Sequence, residues 1–167
     1  MGPASFMLSY SWSYSVIDVI DSLKQFCSRH GLEPKCTYFW VDFLCVNQHR
    51  IEEKKSKGEV VSLDILRKTF RSQIEGTGKV LAIMTPWDCP HYPTRVWCVF
   101  EMFTAISLGD ACEVFVTMPP HQEKCILKEL TTGNDGVMRV WQMLSNIRVQ
   151  DAKASFDSES RSYLKVN

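Results

Sequence analysis

Short apolar segments alternate with amphipathic ones along most of the chain, and this alternation constrains the fold more than any other feature. The apolar segments are rich in β-branched and aromatic residues, which is typical of buried strands. The amphipathic segments repeat apolar residues three and four apart, as a helix with one buried face requires. Predicted strands lie at 6–12, 36–46, 79–85, 112–118 and 147–155, and predicted helices at 15–31, 60–76, 95–109, 121–130 and 137–147.

Strands joined by segments of helical crossover length pack side by side in parallel, with helices on both faces of the sheet. Apolar runs without polar alternation also indicate strands that are buried on both faces. We therefore predict an α/β fold, a flavodoxin-like three-layer sandwich around a mainly parallel five-stranded sheet. Such sheets bind ligands at the carboxyl ends of their strands, here the loops after Tyr10, Val46 and Thr85.

The glycine patterns of common nucleotide and hydrolase sites are missing from the sequence. No G-x-G-x-x-G follows the first strand, and neither G-x-x-x-x-G-K nor G-x-S-x-G occurs. These absences exclude a Gly-rich phosphate loop and the nucleophile elbow of the α/β-hydrolases.

The charge balance narrows the classes of partner. The chain has 19 Lys and Arg against 19 Asp and Glu, so it lacks the basic field that holds nucleic acid or an anionic membrane. No apolar run reaches the ~18 residues of a membrane helix, and no signal peptide is recognisable. We expect neither a nucleic-acid nor a membrane partner.

The seven cysteines include no C-x-x-C pair and are typical of free thiols in a reducing compartment, which predicts a cytoplasmic protein. The alternative use of such residues is metal binding. The loosely spaced candidates are Cys45 with His49, and Cys89 with His91 and Cys98. A structural zinc site needs four ligands at tighter spacing, so we predict no metal site.

A chain of 167 residues is long enough for one domain, which we assign to residues 6–167. We interpret residues 1–5 as an expression remnant or a disordered N-terminus. Asp157 is predicted to cap a further helix, and the chain ends before that helix is complete. We therefore expect the domain to belong to a longer protein.

A single carboxylate, Glu101, lies within the apolar helix predicted after the third strand, for which Thr94 is the expected cap. A helix that is apolar on most sides is usually buried, and an unpaired acid there costs free energy or has a raised pKa. One explanation is that Glu101 pairs with a basic residue or reaches a narrow strip of exposed surface. The other is that Glu101 lines a pocket where its charge meets a ligand.

The tryptophans fall into two groups. Trp40 lies within the second predicted strand beside Phe39, and both are expected to be core residues. Trp12, Trp87 and Trp97 instead follow strand ends or begin a helix. We expect these three rings either to stack on a flat heterocycle or to seal the rim of the domain.

Four segments of the chain carry a resemblance to a known family. The first strand ends in Met7-Leu8-Ser9-Tyr10, the second carries Trp40-Val41-Asp42, the third ends in Thr85-Pro86, and the next helix begins with Trp97-Cys98-Val99-Phe100-Glu101. In this order they resemble the Toll/interleukin receptor (TIR) domains, and the last matches the Trp-Cys-x-x-Glu of plant members. "VDFLCVNQ" with "RVWCVFE" also resembles fungal heterokaryon-incompatibility domains and TIR-like proteins of protists. The resemblance covers residues 6 to about 120.

The resemblance implies that the domain cleaves NAD⁺. NAD⁺ would then be the substrate, and no cofactor is expected. Enzymatic TIR domains use the glutamate at the position of Glu101 to break the bond between nicotinamide and ribose, and they release ADP-ribose or a cyclised form. They commonly act only when assembled, so a homo-oligomer is expected. Many other members are non-catalytic homotypic adaptors in signalling.

The chemistry of NAD⁺ fits a single carboxylate. Glycoside cleavage usually needs two, because the leaving group must be protonated. Nicotinamide leaves as a neutral molecule without a general acid, so one carboxylate is enough to stabilise the cationic sugar as its charge develops.

The remaining candidate residues are expected to bind the substrate. Trp12 or Trp97 would flank the ribose or the nicotinamide ring, and Ser11 would donate to ligand oxygens. Asp42, Asn47 and Gln48 would orient the ligand or the loop after the second strand. The full candidate set is Tyr10, Ser11, Trp12, Asp42, Asn47, Trp87 and Trp97 for substrate binding and Glu101 for catalysis.

Two departures from the family pattern keep alternatives open. "SWSYS" stands where many members carry Arg or a Gly-rich run, which leaves phosphate contacts unassigned. The segment 47–59 is long and charged, and we interpret it as solvated surface rather than as a phosphate or partner site. A non-catalytic assembly module and an enzyme acting on another nucleoside, such as a deoxyribosyltransferase, are the alternative functions.

Overall fold

A parallel sheet forms the centre of the protein. The computed structural model describes residues 3–45 and 63–153. Its strands in chain order are β1 (Phe6–Ser9), β2 (Phe39–Val41), β3 (Lys79–Ile83) and β4 (Glu113–Thr117). They lie in the order β2-β1-β3-β4, and every pair is parallel. The prediction of an α/β fold with a parallel sheet is confirmed.

Helices connect and cover the strands. The α-helices are α1 (Val16–Arg29), α2 (Asp42–Cys45), α3 (Leu63–Thr77), α4 (Val96–Ser107), α5 (Pro120–Leu130) and α6 (Asn134–Ser145). Short 3₁₀ helices span Tyr92–Thr94, Gly109–Ala111 and Val149–Asp151. Within the described ranges, no helix has the length and apolar character needed to cross a membrane.

The alternation of side chains along β1 creates the two faces of the sheet. Met7 packs in one core cluster with Phe70 of α3 and Ala105 of α4. Phe6 and Leu8 point to the opposite face, where their cluster includes Phe26 of α1. Helices therefore bury both faces, as a three-layer sandwich requires, and half-buried Phe39 and Trp40 pack on these clusters as predicted.

The predicted fifth strand at 147–155 is wrong for the residues that the structure describes. Val149–Asp151 forms a 3₁₀ helix, and Lys153 makes a single isolated bridge with Arg95 instead of pairing with β4. Polar Gln150 and Asp151 interrupt the apolar residues here, so there is no run of side chains for a sheet to bury. The described sheet consequently has four strands and not five.

Two local predictions also need correction. The second strand was expected over 36–46, but it is confined to β2 because Asp42 begins a helical turn, where an acid is favoured by the helix dipole. The N-cap of α4 is Arg95 and not Thr94, because the Thr94 hydroxyl donates to the carbonyl oxygen of His91 at 2.6 Å.

Candidate functional site

The fold brings Glu101 to the carboxyl end of β1. Glu101 lies on α4 and is only 5% exposed, and the Ser9 hydroxyl at the end of β1 donates a hydrogen bond to its Oε2. The Ser9 Oγ also lies 2.7 Å from the hydroxyl of Tyr92, which belongs to the 3₁₀ helix preceding α4. One strand, one loop and one helix therefore converge on this acid.

Burial controls the protonation of Glu101. It raises the pKa of this carboxyl from its ordinary 4.5 to about 8, with the nearby charge of Asp42 adding to the rise and the Ser9 hydrogen bond opposing it. Within residues 3–45 and 63–153, no Lys, Arg or His lies within ion-pair distance of Glu101. The described residues therefore do not provide the ion pair that was one explanation for this acid.

The two carboxyl oxygens of Glu101 differ in their hydrogen bonding. Oε2 accepts from Ser9, whereas Oε1 accepts no hydrogen bond from the part of the chain that the structure describes. Once Glu101 is ionised, Oε1 has two lone pairs with which to accept hydrogen bonds from hydroxyl groups.

Two of the residues predicted to bind substrate, Tyr10 and Asp42, lie within electrostatic reach of Glu101, and a third, Trp12, contacts Asp42. The indole Nε1 of Trp12 donates to Asp42 Oδ2 at 2.8 Å, which ties the loop after β1 to the start of α2. Burial raises the pKa of Tyr10 to about 12, and the charges of Asp42, Cys98 and Glu101 contribute further. Tyr10 and Asp42 are thus electrostatically coupled to Glu101, and Trp12 joins them through its hydrogen bond to Asp42.

Ser11 takes part in a separate hydrogen-bond chain. Its side chain is fully buried, and its Oγ lies 2.8 Å from Ser13 Oγ, which in turn lies 3.2 Å from Nδ1 of His91. The hydroxyl of Ser11 is therefore already engaged with Ser13 and is screened from solvent.

The other tryptophans contact different parts of the fold. The Trp97 ring stacks on Phe70 of α3 with centroids 5.6 Å apart, and it meets Phe100 edge-on at 6.0 Å. The backbone N–H of Trp87 donates to Gln122 on α5 at 2.9 Å. Trp97 is thus part of a ring cluster between α3 and α4, and Trp87 lies against α5. Asn47 and Gln48 fall outside the described residues.

The cysteine and histidine candidates that the structure describes do not assemble into a metal-binding cluster. Cys98 is buried, and its thiol donates to the carbonyl oxygen of Tyr10 at 3.4 Å, whereas Cys89 is exposed. Among the described residues, no group of three or more His, Cys, Asp or Glu side chains has the geometry of a metal site. His49 lies outside the described residues.

The sequence analysis missed Ser9, the hydrogen-bond partner of Glu101, and Tyr92, which contacts Ser9. Ser9 gave a usable signal, because it is the polar residue of an apolar strand and shares a face with Met7. Tyr92 gave none, since it lies in a Pro-rich loop whose path no periodicity describes, 83 positions along the chain from Ser9.

Comparisons with known proteins add no family assignment. A scan against family models, a search of curated proteins and a search of solved structures each returned no match. The resemblance to TIR domains therefore stays a prediction from the motifs.

Proposed function

We propose that this domain is an NAD⁺ glycohydrolase that breaks the nicotinamide–ribose bond with Glu101. The observation that carries the proposal is the position of this acid at the carboxyl edge of a parallel sheet, where ligands of such folds bind. Ser9 holds one carboxyl oxygen, and the other has no partner among the described residues. The resemblance to enzymatic TIR domains supports the same role.

A raised pKa suits an acid that meets a cation. In the free protein Glu101 is mostly neutral at pH 7, because its pKa is about 8, and the fold avoids burying an unpaired charge. A nearby positive charge lowers the pKa of a carboxyl by about 1 to 3 units. Binding that brings the positively charged pyridinium ring of NAD⁺ next to Glu101 would therefore favour the ionised carboxylate at the moment when a negative charge is useful.

The ionised carboxylate would then act on the breaking bond. Nicotinamide leaves as a neutral molecule, and positive charge moves onto the ribose ring. A fixed carboxylate in a poorly solvated site stabilises that charge more in the transition state than in the ground state. Water, or an atom of the substrate itself, then attacks the ribose carbon to give the hydrolysed or the cyclised product.

Neighbouring residues would orient the substrate. Trp12 is 44% exposed and its Nε1 is held by Asp42, so this oriented indole would stack on a flat ring of the substrate. Tyr10 keeps its proton up to a pKa of about 12 and would donate to a ribose or phosphate oxygen. A cytoplasmic location belongs to the same proposal, since the cysteines that the structure describes are free thiols.

The test is release of nicotinamide from NAD⁺ by the purified chain at high protein concentration, followed by chromatography. We expect release by the wild type and by the control Glu75→Gln, which changes an exposed acid on α3. Glu101→Ala should abolish release. Equal release by wild type and Glu101→Ala would refute the role of this residue.

A second candidate function is a non-catalytic homotypic assembly module. The observation that favours it is an exposed apolar stripe along α6. Its members are Val137, Met138, Trp141 and Leu144. Self-association that is lost in Trp141→Lys, together with no nicotinamide release at any protein concentration, would support this function over the enzymatic one.

A further inference from the structure

The hydrogen bond from Ser9 to Glu101 belongs to a longer chain that also includes Tyr92, a residue with no part in the reaction proposed above. Ser9 Oγ contacts both Glu101 Oε2 and, at 2.7 Å, the hydroxyl of Tyr92. All three side chains are at most 5% exposed. We propose that Tyr92 is a positioning residue that acts on Glu101 through the Ser9 hydroxyl, an inference that rests on the proposed function of Glu101.

The number of available protons determines which group donates in each hydrogen bond of this chain. A serine hydroxyl has one proton and two lone pairs. When Glu101 is ionised, Ser9 gives its only proton to Oε2, so the contact with Tyr92 holds only if the tyrosine hydroxyl donates to Ser9. Tyr92 is able to do so throughout the neutral range, because burial raises its pKa well above 10.0.

Tyr92 therefore restrains the Ser9 hydroxyl. Without the tyrosine proton, the Ser9 hydroxyl would be free to rotate away from the carboxylate, and the bond to Glu101 would lose the polarisation that a hydrogen-bond chain provides. Both effects destabilise the ionised acid and loosen its orientation. The ring of Tyr92 packs with Ala82 and Cys98, and those contacts do not need the hydroxyl.

Other groups around Glu101 are unsuited to replace this chain. Asp42 is the charged group among the described residues whose field reaches Glu101, and it opposes ionisation. The pKa values of Tyr10 and Cys98 are both raised, so these groups stay neutral across the pH range in question. Hydrogen bonding from Ser9 is the one influence that favours the carboxylate in the described part of the chain.

The test compares Tyr92→Phe, Ser9→Ala and the double variant with the wild type. The pKa of Glu101 is measured by ¹³C NMR on protein labelled at its glutamate carboxyls, and nicotinamide release is measured across pH. Tyr14→Phe is the matched control, because it removes the hydroxyl of a half-buried tyrosine that contacts the backbone of Thr85 and of Tyr92 but not Ser9.

We expect Tyr92→Phe to raise the pKa of Glu101 by about half a unit and Ser9→Ala to raise it by about one unit. We expect kcat to fall about three- to tenfold in Tyr92→Phe with KM unchanged, since orientation and not binding is lost. The double variant should match Ser9→Ala, because Tyr92 acts only through Ser9. Tyr14→Phe should leave the pKa of Glu101 unchanged.

A folded Tyr92→Phe protein with an unchanged Glu101 pKa would overturn the proposal, as would an effect of Tyr92→Phe that persists in the Ser9→Ala background. If Tyr92→Phe does not fold, 3-fluorotyrosine at position 92 replaces it. This stronger donor should lower the pKa of Glu101, and no change would again overturn the proposal. The NMR titration needs no turnover, so a wild type that releases no nicotinamide refutes the proposed function separately.

Discussion

Replacing Glu101 with Gln tests the energetic consequence of burying this acid. Glutamine has almost the same shape and accepts the same hydrogen bond from Ser9, but it cannot ionise. In the wild type, burial raises the pKa of Glu101 from 4.5 to about 8 in the folded protein, whereas the unfolded chain keeps the ordinary value. The two proteins should therefore differ in how their stability depends on pH.

The size and sign of this difference follow from proton linkage. Between pH 4.5 and about 8 the folded wild type holds a proton that the unfolded chain has lost, so its free energy of unfolding falls as pH rises. The loss is about 1.4 kcal/mol per pH unit, and it totals on the order of 5 kcal/mol by pH 8, above which it levels off. The Gln variant lacks this contribution.

The assay is urea unfolding of both proteins at pH values from 5 to 9. The free energy of unfolding of Glu101→Gln minus that of the wild type should be near zero at pH 5 and should rise to several kcal/mol at pH 9. Taking the difference removes the titrations that both proteins share, and Glu75→Gln should show no such trend. A difference that is constant with pH, or a wild type that gains relative stability at alkaline pH, would show that the carboxylate is charge-compensated and would refute the reasoning.

Three further predictions concern the site and the core. The kcat/KM for nicotinamide release should rise with pH through about 8, because the ionised form of Glu101 is needed. A kcat/KM that falls across this pH range would indicate a general acid and would favour the enzyme acting on another nucleoside. In Asp42→Asn the rise of kcat/KM should occur at a pH lower by a fraction of a unit, because the charge of Asp42 raises the pKa of Glu101. An unchanged pH dependence of kcat/KM in this variant would contradict the coupling. Leu81→Ala should lower the free energy of unfolding by about 2 to 5 kcal/mol in urea titrations, because the side chain is completely buried in β3; a loss under 1 kcal/mol would contradict the assigned core.

The elements with strong periodicity could be predicted from the sequence. β1, β3 and β4 coincide with apolar runs, and α1 and α4 coincide with the expected helices. The sequence favoured burial of Glu101, because its helix is apolar on most sides, but it left a partly exposed position open; the structure decides for burial.

The misplaced boundaries have physical causes. The apolar residues after Val41 extend a strand pattern, but the chain turns into a helix at Asp42, and apolar runs of this length do not distinguish strand from buried helix. The run after Arg148 has too few apolar residues to add a strand. Its residue Lys153 pairs instead with the loop before α4, where its backbone N–H donates to the carbonyl oxygen of Thr94 at 2.8 Å.

The candidate site was predicted in part. The carboxyl ends of parallel strands meet at one edge, and this rule predicted that Tyr10 and Asp42 lie near Glu101, as their electrostatic coupling shows; Trp12 is seen in contact with Asp42. The rule gives position along the sheet but not the rotamer of a side chain. The stacking of Trp97 on α3 and the approach of Tyr92 depend on tertiary packing that no local pattern records.

Ionisation of Glu101 in response to the pyridinium charge of a bound ligand is the step on which the proposed function depends. The most direct measurement is the ¹³C NMR titration of Glu101 with and without carbocyclic NAD⁺, which keeps the pyridinium charge but is not cleaved. The pKa of Glu101 should fall from about 8 by about 1 to 3 units when the analogue saturates the site. A pKa that stays at about 8 or rises in the complex would contradict the account.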